Sequence, residues 1–186
     1  MKEEVQKALE IIQNGGIILY PTDTVWGLGC DAQNQDAVEK IYRLKKRAEG
    51  KSFVVLASSE NMVSKFIHPV PDIGWDMFEM SETPLTLVLD HAQNLAKGVK
   101  ADDGSVAIRI IRKGFANQLI HKLGVPIVST SANLSGDTSP ANFAEISEAI
   151  KTGVDYITPQ EYDQGNGKPS SIIRLWEDAR VKIIRK

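Results

Sequence analysis

An α/β fold built on a mixed sheet is predicted by three observations. Short apolar runs of strand length alternate with stretches of helical periodicity along the whole chain. The last two apolar runs, 171–175 and 181–185, flank Glu177-Asp178-Ala179 and read as a hairpin, which makes the sheet mixed rather than purely parallel. Hydrophobic residues make up 42% of the 186 positions, enough for a sizeable core without disulfides. No repeat, low-complexity tract or long linker divides the chain, so residues 1–186 are expected to form one domain.

Each element has its own signal. Val5, Leu9 and Ile12 share one face of a helix over 4–13, and Asn14-Gly15-Gly16 ends it, because glycine tolerates the left-handed geometry that follows a helix. Residues 17–20 read as a buried strand stopped by Pro21. Asn34 is placed to cap a second helix over 35–47. Strands are predicted at 52–56, 85–90, 106–111 and 127–130, and further helices at 60–67, 115–123 and 143–151.

Charge and composition exclude several classes. Twenty-two basic against 24 acidic residues give a formal net charge of −2, which argues against nucleic-acid binding by bulk charge. A lone cysteine, Cys30, forms neither an internal disulfide nor a cysteine zinc site, and reads as a small packing residue in a reducing compartment. No apolar run approaches the ~20 residues of a membrane span, and the acidic start MKEEVQKALE does not resemble a signal peptide. A cytoplasmic protein without membrane contact is expected.

Polar residues collect where buried strands end. In 125–136, VPIVSTSANLSG, a strand runs into Ser129, Thr130, Ser131, Asn133 and Ser135. Ligands of open α/β sheets bind beyond the carboxyl ends of strands, and small side chains let them approach the backbone. A single serine there would be ordinary loop chemistry; five small hydrogen-bonding groups together read as the lining of a site. Thr22, Asp23 and Thr24 end the first strand, with Gly27 and Gly29 allowing a tight path around Trp26. Pro169-Ser170-Ser171, taken alone, is a simple turn.

Two basic residues stand out. Lys45 continues the apolar stripe of Val38, Ile41 and Tyr42, so it either reaches into a pocket or snorkels to solvent. Arg109 lies mid-strand in 106–111 and either faces solvent or pairs with an anion. Gly50-Lys51-Ser52 imitates the end of a phosphate-binding loop, but Lys45 stands where that motif needs a glycine, and the order is helix then strand. His68, His91 and His121 have no ligand spacing, so neither a metal held by protein ligands nor a serine-histidine-aspartate triad is expected.

Taken together, several segments resemble the YrdC/TsaC family, the threonylcarbamoyl-AMP synthases. They are GGIILYPTDTVWGLG at 15–29, Lys45-Lys46-Arg47 with Lys51, PLTLVL at 84–89, SVAIR at 105–109, STSANLSG at 129–136, Pro169-Ser170-Ser171 and Arg185. The resemblance implies a twisted mixed sheet with flanking helices around a large concave pocket. It also implies formation of threonylcarbamoyl-AMP and pyrophosphate from L-threonine, bicarbonate and ATP with Mg2+, for a downstream transferase that modifies tRNA. By family position, Lys45 and Arg47 would be catalytic, and Arg47, Lys51, Ser105, Ser131, Asn133, Ser139 and Arg185 would meet ATP. Thr24, Arg109, Ser129 and Ser171 would meet threonine, with the Arg109 fork suited to a carboxylate. Such a reaction needs no enzyme nucleophile; it needs charge compensation and positioning.

The chain departs from the family pattern at Ala48, Ser52-Phe53, Leu56, 81–83 and Ile111, and keeps the charged and hydroxyl set. Two alternatives compete. A non-catalytic RNA-binding module is disfavoured by the net charge and by 6% aromatic residues. A carbamoyl-transfer domain of the hydrogenase-maturation type would sit in a much longer chain.

Overall fold

The computed structural model describes residues 1–48 and 52–186. In chain order these form α1 (Lys2–Gln13), β1 (Ile18–Tyr20), β2 (Gly27–Gly29), α2 (Gln35–Lys45), β3 (Val54–Ala57), α3 (Glu60–Phe66), α4 (Asp72–Met80), β4 (Leu85–Leu89), β5 (Val106–Ile110), α5 (Gly114–Leu123), β6 (Ile127–Ser131), α6 (Glu148–Thr152), β7 (Tyr156–Ile157), β8 (Ser171–Leu175) and β9 (Val181–Arg185). Among the described residues the strands make a nine-stranded mixed sheet in the order β7-β1-β2-β6-β3-β5-β4-β8-β9. The closing hairpin pairs antiparallel, while β3 with β5 and β4 with β8 run parallel.

Local chemistry explains the boundaries. The Asn34 side chain accepts from the Ala37 amide at 3.0 Å, and Ser59 accepts from Met62 at 3.2 Å, each satisfying an orphan amide of a first helical turn. The helix predicted to reach Arg47 stops at Lys45, because Lys46 turns left-handed with φ 49°, which frees Arg47 from the helix axis. The third strand begins at Val54 rather than at 52. The helix predicted over 143–151 is a 3₁₀ turn at Phe143–Glu145 followed by α6, since Asn142 caps the amides of Ala144 and Glu145 and closes a separate turn.

Three elements, β2, α4 and β7, carried no sequence prediction. In β2 the glycines hide the strand: a Cβ on Gly29 would lie 2.6 Å from the Tyr20 ring, so only glycine lets β2 lie against β1 and β6. The main core packs α1, α2, α3, α4 and α5 against the sheet, and a smaller cluster of Leu19, Trp26, Leu28, Ala132, Ile146 and Ile150 closes the β1–β2 end. Cys30 is fully buried in the main core, where burial pushes its thiol far above the usual range, so it is a packing residue and chemically quiet. Among the described residues no helix is long and apolar enough to cross a membrane.

Candidate active site

Strand register builds the site. Arg109 on β5 is paired with Leu56 on β3 and with Thr86 on β4; Thr86 is paired with Ile172 on β8, and Ile172 with Arg185 on β9. Cross-strand partners share a face, so this row carries Arg109 and Arg185 to the same side of the sheet. On that side a cavity of about 210 Å³ opens, walled by Thr24, Arg47, Arg109, Ser129, Ser131, Ser139 and Arg185 among others. These seven were each expected at the site from the sequence. The wall includes three guanidinium groups and no carboxylate among the described residues, so it attracts anions. Burial, followed by the charge of Arg109, holds the Arg185 guanidinium below its ordinary range, and burial does the same to Arg47.

Each arginine is held in place. Arg47 lies 4.9 Å over the Phe53 ring and donates to the Ser52 carbonyl at 2.8 Å. Arg185 donates to the Ser170 carbonyl through Nε at 2.9 Å and through Nη2 at 2.7 Å. Arg109, only 4% exposed, forms an ion pair with Asp23 and a 3.4 Å bond to the Thr24 hydroxyl. The mid-strand arginine is therefore anion-paired, and its anion comes from the same loop that supplies the wall.

Lys45 was expected to face phosphates, but the structure places it behind the wall. It is 1% exposed, and its ammonium donates to the carbonyls of Ser131 at 2.5 Å and Asn133 at 2.6 Å. Asn133, likewise off the wall, accepts from the Ser131 hydroxyl at 2.5 Å and donates to Leu134 and Asp137 carbonyls at 2.9 and 2.8 Å. Lys45 and Asn133 thus shape the loop that presents Ser131. Burial, together with the charge of Arg47, brings the Lys45 ammonium down from 10.5 to about 8.

Two serines are corrected. Ser105 was expected at the nucleotide, but its hydroxyl donates to Asp103 at 2.6 Å inside the turn before β5, away from the cavity wall. Ser171 was expected at threonine. Ser170 and Ile172 line the cavity instead, so the pleat turns the intervening Ser171 to the opposite face. Lys51 lies outside the described residues.

Three other wall residues, Ser170, Thr22 and Trp26, were noted in the sequence but assigned no ligand. Ser170 shares a 2.7 Å hydrogen bond with Thr86, and Thr22 donates to the Val25 carbonyl at 2.8 Å. Trp26 also lines the cavity, and its indole donates to Asp163 at 2.7 Å. That bond begins a strap over 163–170 that crosses the Thr22–Trp26 loop, where the Gly167 amide donates to the Thr24 carbonyl at 2.9 Å. A Cβ on Gly165 would stand 2.6 Å from that same carbonyl. Gly165→Ala is therefore expected to lift the strap, lowering stability by about 1–3 kcal/mol and weakening substrate binding. Thermal melts and Michaelis constants check this, and a wild-type melt with unchanged constants would show the strap to be a passive loop.

Comparison with known proteins places the chain in a family. A Sua5/YciO/YrdC family model, described as "Telomere recombination", matches residues 10–186. The chain belongs to this family. A threonylcarbamoyl-AMP synthase of Pseudoalteromonas translucida is 32% identical over 171 residues, covering 90% of this chain and 91% of that protein. One from Marinobacter nauticus is 34% identical over 170 residues, covering 90% and 89%. A crystal structure of P. abyssi Sua5 complexed with L-threonine superposes with a TM-score of 0.81 at 26% identity, over 92% of this chain and 50% of that chain. The present chain thus spans about half the length of that Sua5. E. coli YciO, at 24% identity and a TM-score of 0.83, shares the fold over all of this chain and 90% of its own. The twisted mixed sheet with flanking helices is the architecture of this family.

Proposed function

We propose that this chain is a threonylcarbamoyl-AMP synthase, joining L-threonine, bicarbonate and ATP into threonylcarbamoyl-AMP with release of pyrophosphate. The observation that carries the reading is the convergence of Arg47, Arg109 and Arg185 on one cavity edged by small hydroxyls. The relatives named for this activity, and the Sua5 that binds L-threonine, support it over a non-catalytic RNA-binding module.

The reaction has two condensations. The threonine ammonium and bicarbonate give a carbamate, one water and one proton. A carbamate oxygen then attacks the α-phosphorus of ATP, and the bond to the β-phosphate oxygen breaks to release pyrophosphate. The reactants are anions or become anions, so their mutual repulsion dominates the barrier, and fixed cations lower it. Arg109, anchored to Asp23, offers its remaining donors to the threonine carboxylate, with Thr24 and Ser129 beside it. Arg47 and Arg185 face the phosphates, and Ser131 and Ser139 hydrogen-bond on the nucleotide side. Mg2+ enters with ATP as part of the substrate, screening its phosphates. The product, a mixed anhydride, passes to a transferase acting on tRNA, which places the protein in the cytoplasm.

Pyrophosphate release is the test. Purified chain with Mg-ATP and bicarbonate should release it when L-threonine is added and at background without it. Equal release with and without threonine would refute the assignment.

A further inference from the structure

Strand β4 reads Leu-Thr-Leu-Val-Leu, and Thr86 is its one polar side chain. Thr86 is fully buried. It is paired with Arg109 on one side and with Ile172 on the other, so it stands in the row of the sheet that ends in Arg185. It is not itself part of the cavity wall. A hydroxyl taken out of water is costly unless it is hydrogen-bonded, and a valine would keep the branched shape without that cost. Among the described residues the Thr86 hydroxyl has one partner, the Ser170 hydroxyl at 2.7 Å.

The direction of that bond follows from where the two groups lie. Each hydroxyl carries one hydrogen, and only one of the two can lie between the oxygens. If Ser170 donated, the Thr86 hydrogen would be buried with no acceptor among the described residues. If Thr86 donates, its hydrogen is used, and the Ser170 hydrogen is left over. Ser170 lines the cavity, where a ligand oxygen can accept it. The bond therefore runs from Thr86 to Ser170 and on into the cavity. A hydroxyl that accepts while it donates is polarised into a better donor. The Ser170 carbonyl is meanwhile held by two bonds from Arg185, at 2.9 and 2.7 Å. Ser170 is thus fixed twice, at its side chain by Thr86 and at its backbone by Arg185, and it presents a hydrogen rather than a lone pair to the cavity.

We propose that Thr86 is a positioning residue: by donating to Ser170 it commits the Ser170 hydroxyl to donate to an anionic oxygen of a reactant bound in the arginine-walled cavity. The inference rests on the reaction proposed above. Its reactants offer such oxygens on the threonine carboxylate and on the ATP phosphates, all of them acceptors without a hydrogen.

Steady-state kinetics of Thr86→Val, with threonine and ATP varied separately, tests it. The valine keeps the branched shape and removes the donor, so Ser170 is free to turn its hydrogen away from the ligand. KM for the reactant that Ser170 meets should rise about tenfold, with kcat changed by less than about threefold. A rise for threonine assigns the oxygen to its carboxylate, a rise for ATP assigns it to a phosphate, and either supports the role. Thr86→Ala, which cannot overpack the strand, should show the same change, and thermal melts should show both variants folded. Thr86→Ser restores the hydroxyl and should recover most of the loss. Because Thr86 acts through Ser170, Thr86→Val should add less than about twofold to the KM of Ser170→Ala. Wild-type constants in Thr86→Val and Thr86→Ala would overturn the proposal. So would a loss that serine does not restore, or one that multiplies in full on the Ser170→Ala background, since either marks a packing role. A wild-type chain that releases no pyrophosphate with threonine would remove the reaction and this role together. An active wild type with indifferent valine and alanine variants would remove only the role of Thr86.

Discussion

Arg109→Ala is expected to lower kcat/KM for threonine by about 100-fold or more, equivalent to roughly 2.7 kcal/mol of lost transition-state stabilisation. Arg109 is almost fully buried, anchored to Asp23 and the Thr24 hydroxyl, and set by register on the cavity face. Its removal takes away the cation assigned to the threonine carboxylate and leaves Asp23 without its counter-charge. Arg109→Lys keeps the charge and loses the planar fork, so the expected damage falls mainly on KM for threonine, about tenfold, with kcat less affected. Asp23→Asn should resemble the lysine variant, because the guanidinium remains but loses its anchor. Steady-state kinetics with threonine and ATP varied separately reads all three. A rise confined to KM for ATP would move Arg109 to the nucleotide half of the cavity.

The second large effect concerns a residue that does not touch the cavity. Lys45→Met should reduce turnover by at least about tenfold, because the Ser131–Asn133 carbonyls lose the ammonium that draws them together. The wild-type pH dependence gives a sharper signature. With the ammonium lowered to about 8, Lys45 is charged at neutral pH and neutral above it, so activity should fall as pH rises through 8. Stability should move the other way. Between about 8 and 10.5 the unfolded chain holds a proton on Lys45 that the folded chain has released, so unfolding takes up a proton and stability grows with pH across that window. Lys45→Met should flatten both trends. Activity and denaturant midpoints measured from pH 7 to 10 check the pair. A falling activity limb that persists unchanged in the methionine variant would belong to another group.

Much of this site was written in local sequence. Asn34 announced a helix start, and the helical stripe ending in Lys45 left that lysine two courses, a pocket or solvent, of which the structure shows the inward one. The hydroxyl run after 127–130 announced a strand end facing a cavity, and Ser129 and Ser131 line it. Other features depend on partners distant in the chain. The anion of Arg109 is 86 positions away, and Lys45 meets carbonyls 86 and 88 positions away. Periodicity placed Lys45 on the inner face but could not say that it meets a loop rather than a phosphate. The choice between Ser170 and Ser171 turns on one step of pleat, which a run of two serines leaves open. Strand β2 escaped notice because its glycines, usually the marks of a turn, are what allow β1 and β6 to approach.

The central claim is that one cavity of arginines and hydroxyls joins threonine, bicarbonate and ATP, through a carbamate anion, without a nucleophile of its own. Mass spectrometry of the adenylate formed from carbon-13 bicarbonate, L-threonine and Mg-ATP tests this most directly. The account predicts one labelled carbon in a product containing both threonine and AMP. An adenylate of threonine without the label, or AMP formed with no threonine attached, would contradict it.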